Sequence, residues 1–126
     1  MHRSGRPVLA GLDPDSSDSS VSYSDSKLFV TTLVASVARR WTDVLANAVD
    51  PGWVATRMGG PHATDDLSLG HVTQVWLAVS PQPDFRVSGR YWYHQQQQRP
   101  HPAVHDRRFQ DALLAALERV TGVALD

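Results

Sequence analysis

The sequence predicts an α/β domain built on a parallel sheet, in the order helix, strand, helix, strand, helix. Three observations predict it. Apolar residues recur at helical spacing in three separate stretches. A short apolar run, V-L-A-N-A-V at residues 44–49, stops at Asp50-Pro51-Gly52, as a strand buried on both faces does. A second β-rich run, residues 87–94, follows the middle helical stretch, so the two strands are joined by a helix and run parallel with a right-handed crossover.

Residues 1–20 offer almost no core. Their one apolar run is Pro7-Val8-Leu9-Ala10, and D-P-D-S-S-D-S-S at residues 13–20 reads as solvated loop. Its D-x-D start lacks the glycine and the distal glutamate of a calcium loop. The first helix runs from Ser22 to Arg40. Phe29, Leu33 and Val37 repeat every four residues, with Val30, Val34 and Ala38 beside them. Arg39 and Arg40 close it, where cations complement the helix dipole. After the first strand, residues 53–62 read as a long loop. Thr64 before Asp65 and Asp66 marks a helix start. Val72, Val75, Trp76 and Val79 form that helix's stripe, and Pro81 follows its end. In the second strand Tyr91 and Tyr93 fall on one face and Trp92 on the other. The glutamines 95–98 read as a turn. The last helix runs from Asp106 to Thr121, with Phe109, Leu113, Leu117 and Val120 as its stripe and Gly122 as its stop. Two parallel strands cannot cover both their faces and both their edges. Neighbouring strands are therefore expected outside these residues.

Composition narrows the function classes. The chain has 126 residues, 41% hydrophobic and 20% charged, with a net charge of −1 and no cysteine. That length suits one domain. The interspersed charge argues against a general nucleic-acid or membrane-surface binder. Thiolate chemistry and cysteine zinc sites are excluded. No apolar run is long enough to span a membrane, no secretory signal opens the chain, and a cytoplasmic location is expected. His94, His101 and His105 lie close in sequence, but Pro102 separates the last two and no acidic partner completes a metal set, so no metal is expected. No G-x-S-x-G elbow occurs for a serine hydrolase.

One short stretch carries chemistry: Y-S-D-S-K, residues 23–27. Lys27 is the chain's only lysine among 12 basic residues. Tyr23 and Lys27 are four apart near a helix start, so both lie on one face. A free phenol ionises near pH 10, too high for proton transfer at neutral pH. A cation a few ångströms away favours the phenolate, and the helix N-terminus adds to that. A flexible ammonium can also donate to two sugar hydroxyls, which a planar guanidinium does less compactly.

Together, Y-S-D-S-K on a helix, the strand V-L-A-N-A-V and the turn D-P-G-W-V-A-T resemble the second half of a short-chain dehydrogenase/reductase. Asn47, Val49, Pro51, Gly52, Val54 and Thr56 match that family's pattern, and the likeness runs from about Val21 onward. It is closest in flavour to retinol-dehydrogenase-like members, which often read Y-x-x-S-K-L and D-P-G-x-V-x-T. The resemblance implies the C-terminal half of a Rossmann-like doubly wound parallel sheet. Residues 1–20 would be a polar loop or leader remnant and residues 21–126 a partial oxidoreductase domain. It also implies NAD(P) and a small carbonyl or alcohol substrate. Tyr23 would pass a proton to or from the substrate oxygen. Lys27 would favour the ionised tyrosine and hold the nicotinamide ribose. Pro51 and Gly52 would form the cofactor turn, with the Val54 backbone and the Thr56 hydroxyl at the carboxamide.

The chain departs from the family in two respects. No T-G-x-x-x-G-x-G turn is present to cradle a pyrophosphate. No serine occupies the end of a preceding strand, and Ser4 is a candidate by position alone. The glycine-rich half is thus expected to be absent, leaving a truncated oxidoreductase inactive by itself. The alternative is a non-enzymatic interaction module, with a homodimer through the helix from Ser22 to Arg40.

Overall fold

The computed structural model describes residues 2–17, 20–83 and 86–125. Helix α1 (Tyr23–Arg40) begins at a capping box. The Ser22 hydroxyl accepts from the Asp25 N–H at 3.1 Å, and the Asp25 carboxylate accepts from the Ser22 N–H at 2.9 Å. The same carboxylate accepts the Arg6 backbone N–H at 2.6 Å and its guanidinium at 2.9 Å. Arg6 thereby holds the Asp25 carboxyl well below the usual carboxylate range, and the segment before α1 is tied to its first turn.

The buried face of α1 is Leu28, Phe29, Thr31, Thr32, Ala35 and Ser36. Of the expected stripe only Phe29 is buried; Leu33, Val34, Val37 and Ala38 are half-buried and Val30 is exposed. The shift has a packing reason. A 3-10 turn (Pro102–His105) and helix α3 (Arg107–Thr121) lie against α1, and the small Thr32, Ala35 and Ser36 permit a close approach. The core so formed joins Leu28, Phe29 and Ala35 to Val104, Phe109 and Leu113. Hydroxyls in it bond to their own helix: Thr31 Oγ1 donates to the Lys27 carbonyl at 2.8 Å and Ser36 Oγ to the Thr32 carbonyl at 2.9 Å. Leu9 and Leu12 pack on its rim and His2 is buried, so residues 2–17 add more to the interior than composition suggests. Asp18 and Ser19 of the expected polar loop lie outside the described residues.

Helix α3 is capped by Asp106, whose carboxylate accepts from the Arg108 N–H at 2.9 Å. It ends at Gly122 in the left-handed region, φ +70°. Arg39 and Arg40 both reach Asp111 on α3. Val120 is exposed, so the buried stripe ends before it.

The sheet is mixed and three-stranded. Strand β1 (Ala48–Asp50) pairs parallel with β2 (Tyr91–Tyr93), Val49 opposite Trp92. Strand β3 (Gln96–Gln98) pairs antiparallel with β2. An all-parallel sheet is therefore not what forms, and of the glutamines 95–98 expected as a turn, Gln96–Gln98 are a strand. The turn is His94-Gln95, with φ of 46° and 62°, the type I′ geometry that suits hairpin twist. The Gln95 N–H donates to the buried Thr73 hydroxyl at 3.0 Å. The first strand is shorter and later than residues 44–49, and it is half-buried rather than buried on both faces. Side chains compete for the backbone before it: the Asn47 amide donates to the Val87 carbonyl at 2.7 Å, and the Ala46 N–H donates to Ser88 Oγ at 3.0 Å.

Helix α2 (Val72–Val79) starts later than Thr64 because Asp65 is engaged elsewhere and Asp66 caps a separate 3-10 turn, Leu67–Leu69. Its inward side is Val72, Thr73, Trp76 and Leu77, while Val75 and Val79 are exposed. Trp76 meets Trp92 edge-on at 5.3 Å. Three α-helices and a mixed sheet are compatible with part of a Rossmann-like fold. No helix among the described residues is long and apolar enough to cross a membrane.

Candidate functional site

The first two turns of α1, the end of β1 and the loop after it border one open cleft of about 640 Å³. The Tyr–Lys pair and the residues of the expected cofactor turn line it: Tyr23, Lys27, Pro51, Gly52, Val54 and Thr56. Helical spacing brings the Lys27 ammonium over the Tyr23 ring, 5.1 Å from its centroid, a cation–π distance. Tyr23 is 54% exposed. The ammonium makes no ion pair with a described residue.

The turn after β1 is built by local geometry. Asp50 Oδ1 accepts the Gly52 N–H at 3.0 Å. Gly52 has φ +87°, and a Cβ there would lie 2.9 Å from the Asp65 Cγ, so glycine is required on both counts. Val54 forms an isolated parallel bridge with Asp65. The Val54 N–H donates to no group among the described residues, and the Val54 carbonyl accepts the Thr56 N–H at 2.9 Å. Thr56 Oγ1 accepts the Gly59 N–H at 3.0 Å and keeps its own proton to donate. Among the described residues, the cleft wall thus offers an ammonium without an ion pair, a backbone N–H without an acceptor and a hydroxyl.

Sequence reasoning missed four residues here. Asp50, Tyr91 and His2 line the cleft, and Asp65 braces its loop. Tyr91 donates to Asp50 Oδ2 at 2.8 Å and Tyr93 to Asp65 Oδ1 at 2.7 Å. Burial, helped by Asp50, pushes Tyr91 far above the ordinary phenol range. The Tyr93 hydroxyl, then the Trp53 N–H, lower the Asp65 carboxyl, and Asp65 raises Tyr93 in turn. Burial above all pushes His2 down to about 4. Its Nε2 accepts the His101 N–H at 3.1 Å, and its ring meets Tyr91 edge-on at 4.3 Å. The alternation of Tyr91 and Tyr93 on one strand face was the one available signal. Ser4 is not part of the cleft; its hydroxyl donates to Ser24 Oγ at 3.1 Å. His101 caps its own 3-10 turn, and His94 Nε2 lies 3.5 Å from Asp65.

No family model matches the chain. It is 36% identical over 104 residues to the short-chain dehydrogenase chyC of Penicillium rubens, and 35% identical over 104 residues to a short-chain dehydrogenase of Gibberella zeae. Each match takes in 82% of this chain. The chain belongs to the short-chain dehydrogenase/reductase family. A shorter match, 43% identical over 68 residues and 49% of this chain, is to carbonyl reductase (NADPH) 1 of Oryctolagus cuniculus. The matched stretch spans 40% of the length of each fungal dehydrogenase and 24% of that reductase. The sequence supplies no glycine-rich turn for the pyrophosphate.

Proposed function

We propose that this chain carries the proton-transfer and nicotinamide-binding part of an NAD(P)-dependent oxidoreductase that interconverts a carbonyl and an alcohol. The observation that carries the reading is the chain's one lysine, held over the Tyr23 ring in the same cleft as the 51–56 turn. A nicotinamide cofactor, when bound, supplies or accepts the hydride. Tyr23 gives its hydroxyl proton to the substrate oxygen during reduction and takes it back during oxidation. Lys27 stabilises the phenolate left behind and donates to ribose hydroxyls. Pro51 and Gly52 turn the chain so that the Val54 N–H and the Thr56 hydroxyl meet the carboxamide. The small-molecule substrate enters from the open side of the cleft, where Tyr23 is exposed.

The test is turnover of NADPH or NADH with a panel of aldehydes and ketones by this chain joined to the glycine-rich N-terminal half of a short-chain dehydrogenase/reductase, with Tyr23 intact and with Tyr23→Phe. The reading expects kcat to fall by roughly 10²–10⁴ without the hydroxyl, the usual contribution of a positioned acid–base group. Turnover that survives Tyr23→Phe unchanged refutes it. The pyrophosphate turn is absent from this sequence, so the 126 residues alone are expected to bind NAD(P)H only weakly, through its nicotinamide end, and to be inactive by themselves. Low-micromolar binding of whole NADPH, measured by calorimetry, contradicts that part.

A further inference from the structure

Residues 50–65 carry the whole cofactor turn, and most of that backbone is neither helix nor strand. Two side-chain devices of the same design hold it. At its start, Asp50 gives Oδ1 to the Gly52 N–H at 3.0 Å and Oδ2 to the Tyr91 hydroxyl at 2.8 Å. At its end, Asp65 gives Oδ2 to the Trp53 N–H at 2.6 Å and Oδ1 to the Tyr93 hydroxyl at 2.7 Å. In each, one carboxylate oxygen fixes turn backbone and the other is anchored by a phenol of β2. Tyr91 and Tyr93 are two residues apart, so both project from one face of that strand. Asp65 also returns its own N–H to the Trp53 carbonyl at 2.9 Å, and its side chain fills the space over Gly52. The four bonds are charge-assisted, the stronger kind of hydrogen bond.

From this geometry we infer that Tyr91 and Tyr93 are positioning residues, which act through Asp50 and Asp65 to preset the 51–56 turn for the nicotinamide end of the cofactor. The inference rests on reading that turn as the nicotinamide site. Its physical basis is preorganisation: irregular backbone that a ligand must order costs affinity, and backbone ordered beforehand does not. The rings have separate duties. Tyr91 packs edge-on against His2, and the Tyr93 ring meets His94 at a tilt, 4.0 Å between centroids. Phenylalanine at either place keeps that packing and removes only the clamp.

Tyr93→Phe and Asp65→Asn are the test variants, with Tyr91→Phe as the second phenol. Arg57 is the only trypsin site between Arg40 and Arg86, and it is exposed in the clamped loop. Two readouts are followed: the rate of tryptic cleavage at Arg57, and the dissociation constant of reduced nicotinamide mononucleotide. Circular dichroism and cleavage at Arg39 and Arg40 monitor the helices. Loss of a charge-assisted bond is expected to raise both readouts roughly tenfold, since cleavage follows the population of open loop. Variants that bind the mononucleotide as the parent does overturn the positioning role and leave the cofactor reading intact. A parent chain that binds none sinks the cofactor reading instead. Faster cleavage at Arg57 then still upholds the clamp, and unchanged cleavage overturns it.

Discussion

Tyr23 and Lys27 would act as a pair only if the ammonium stays near the phenol, and one helical turn brings it to 5.1 Å from the ring centroid. Lys27→Ala is expected to weaken nicotinamide binding by about 1.5–3 kcal/mol, the value of a hydrogen bond to a charged group. Titration with reduced nicotinamide mononucleotide checks it. Lys27→Arg should restore charge without restoring affinity, because a planar guanidinium presents its donors differently. His2 gives a pH prediction. Its folded value near 4 lies below the unfolded 6.5, so between those values the unfolded chain binds more protons and stability rises with pH. Acidification from pH 7 to 5 should therefore destabilise the fold by about 2 kcal/mol. Protonation also cancels the acceptor that His2 Nε2 presents to His101. Urea midpoints at the two pH values measure the loss, and His2→Asn should flatten it. The pair and the 51–56 turn were legible in the sequence because their signals are local. Asp50–Tyr91 and Asp65–Tyr93 were not, since each joins residues 41 and 28 positions apart that no short spacing relates.

Among the elements, α1 depends most on its first turn. Asp25 closes the capping box and holds Arg6 twice. Asp25→Ala should cost about 2 kcal/mol, at the upper end of cap losses, because the Ser22 N–H and two donors of Arg6 lose one shared acceptor. Thermal melting reads it. The S-x-x-D spacing that marks this box was in plain sight beside the tyrosine and lysine. The hairpin supplies a prediction of opposite sign. Gln95 holds φ 62° with an exposed side chain, so Gln95→Gly relieves a left-handed residue and should stabilise by about 0.5–1 kcal/mol. The β3 strand escaped sequence reading because four identical glutamines carry no alternation, and the turn lacks the usual Asn-Gly. The start of α2 was misplaced because Asp65, a good cap by type, spends its carboxylate on Trp53 and Tyr93.

Over the whole molecule, packing divides between the α1–α3 core and the sheet with α2. The α/β class and the parallel pairing of β1 with β2 followed from element order. The mixed character of the sheet did not, because β3 arises from a turn geometry rather than from an apolar pattern. Half-buried β1 and exposed Val30 on α1 leave apolar surface that association could cover, and we propose a homodimer through α1. Sedimentation velocity on the parent and Val30→Glu should show a dimer lost in the variant; two identical monomers would dismiss it. The central claim, that the α1–β1 cleft is a nicotinamide site, is tested most directly by amide chemical-shift mapping of the isotope-labelled chain with reduced nicotinamide mononucleotide. The account predicts saturable shifts at Lys27, Gly52, Val54 and Thr56. Shifts confined to other surfaces, or none as the mononucleotide approaches the upper millimolar range of measurable affinity, would contradict it.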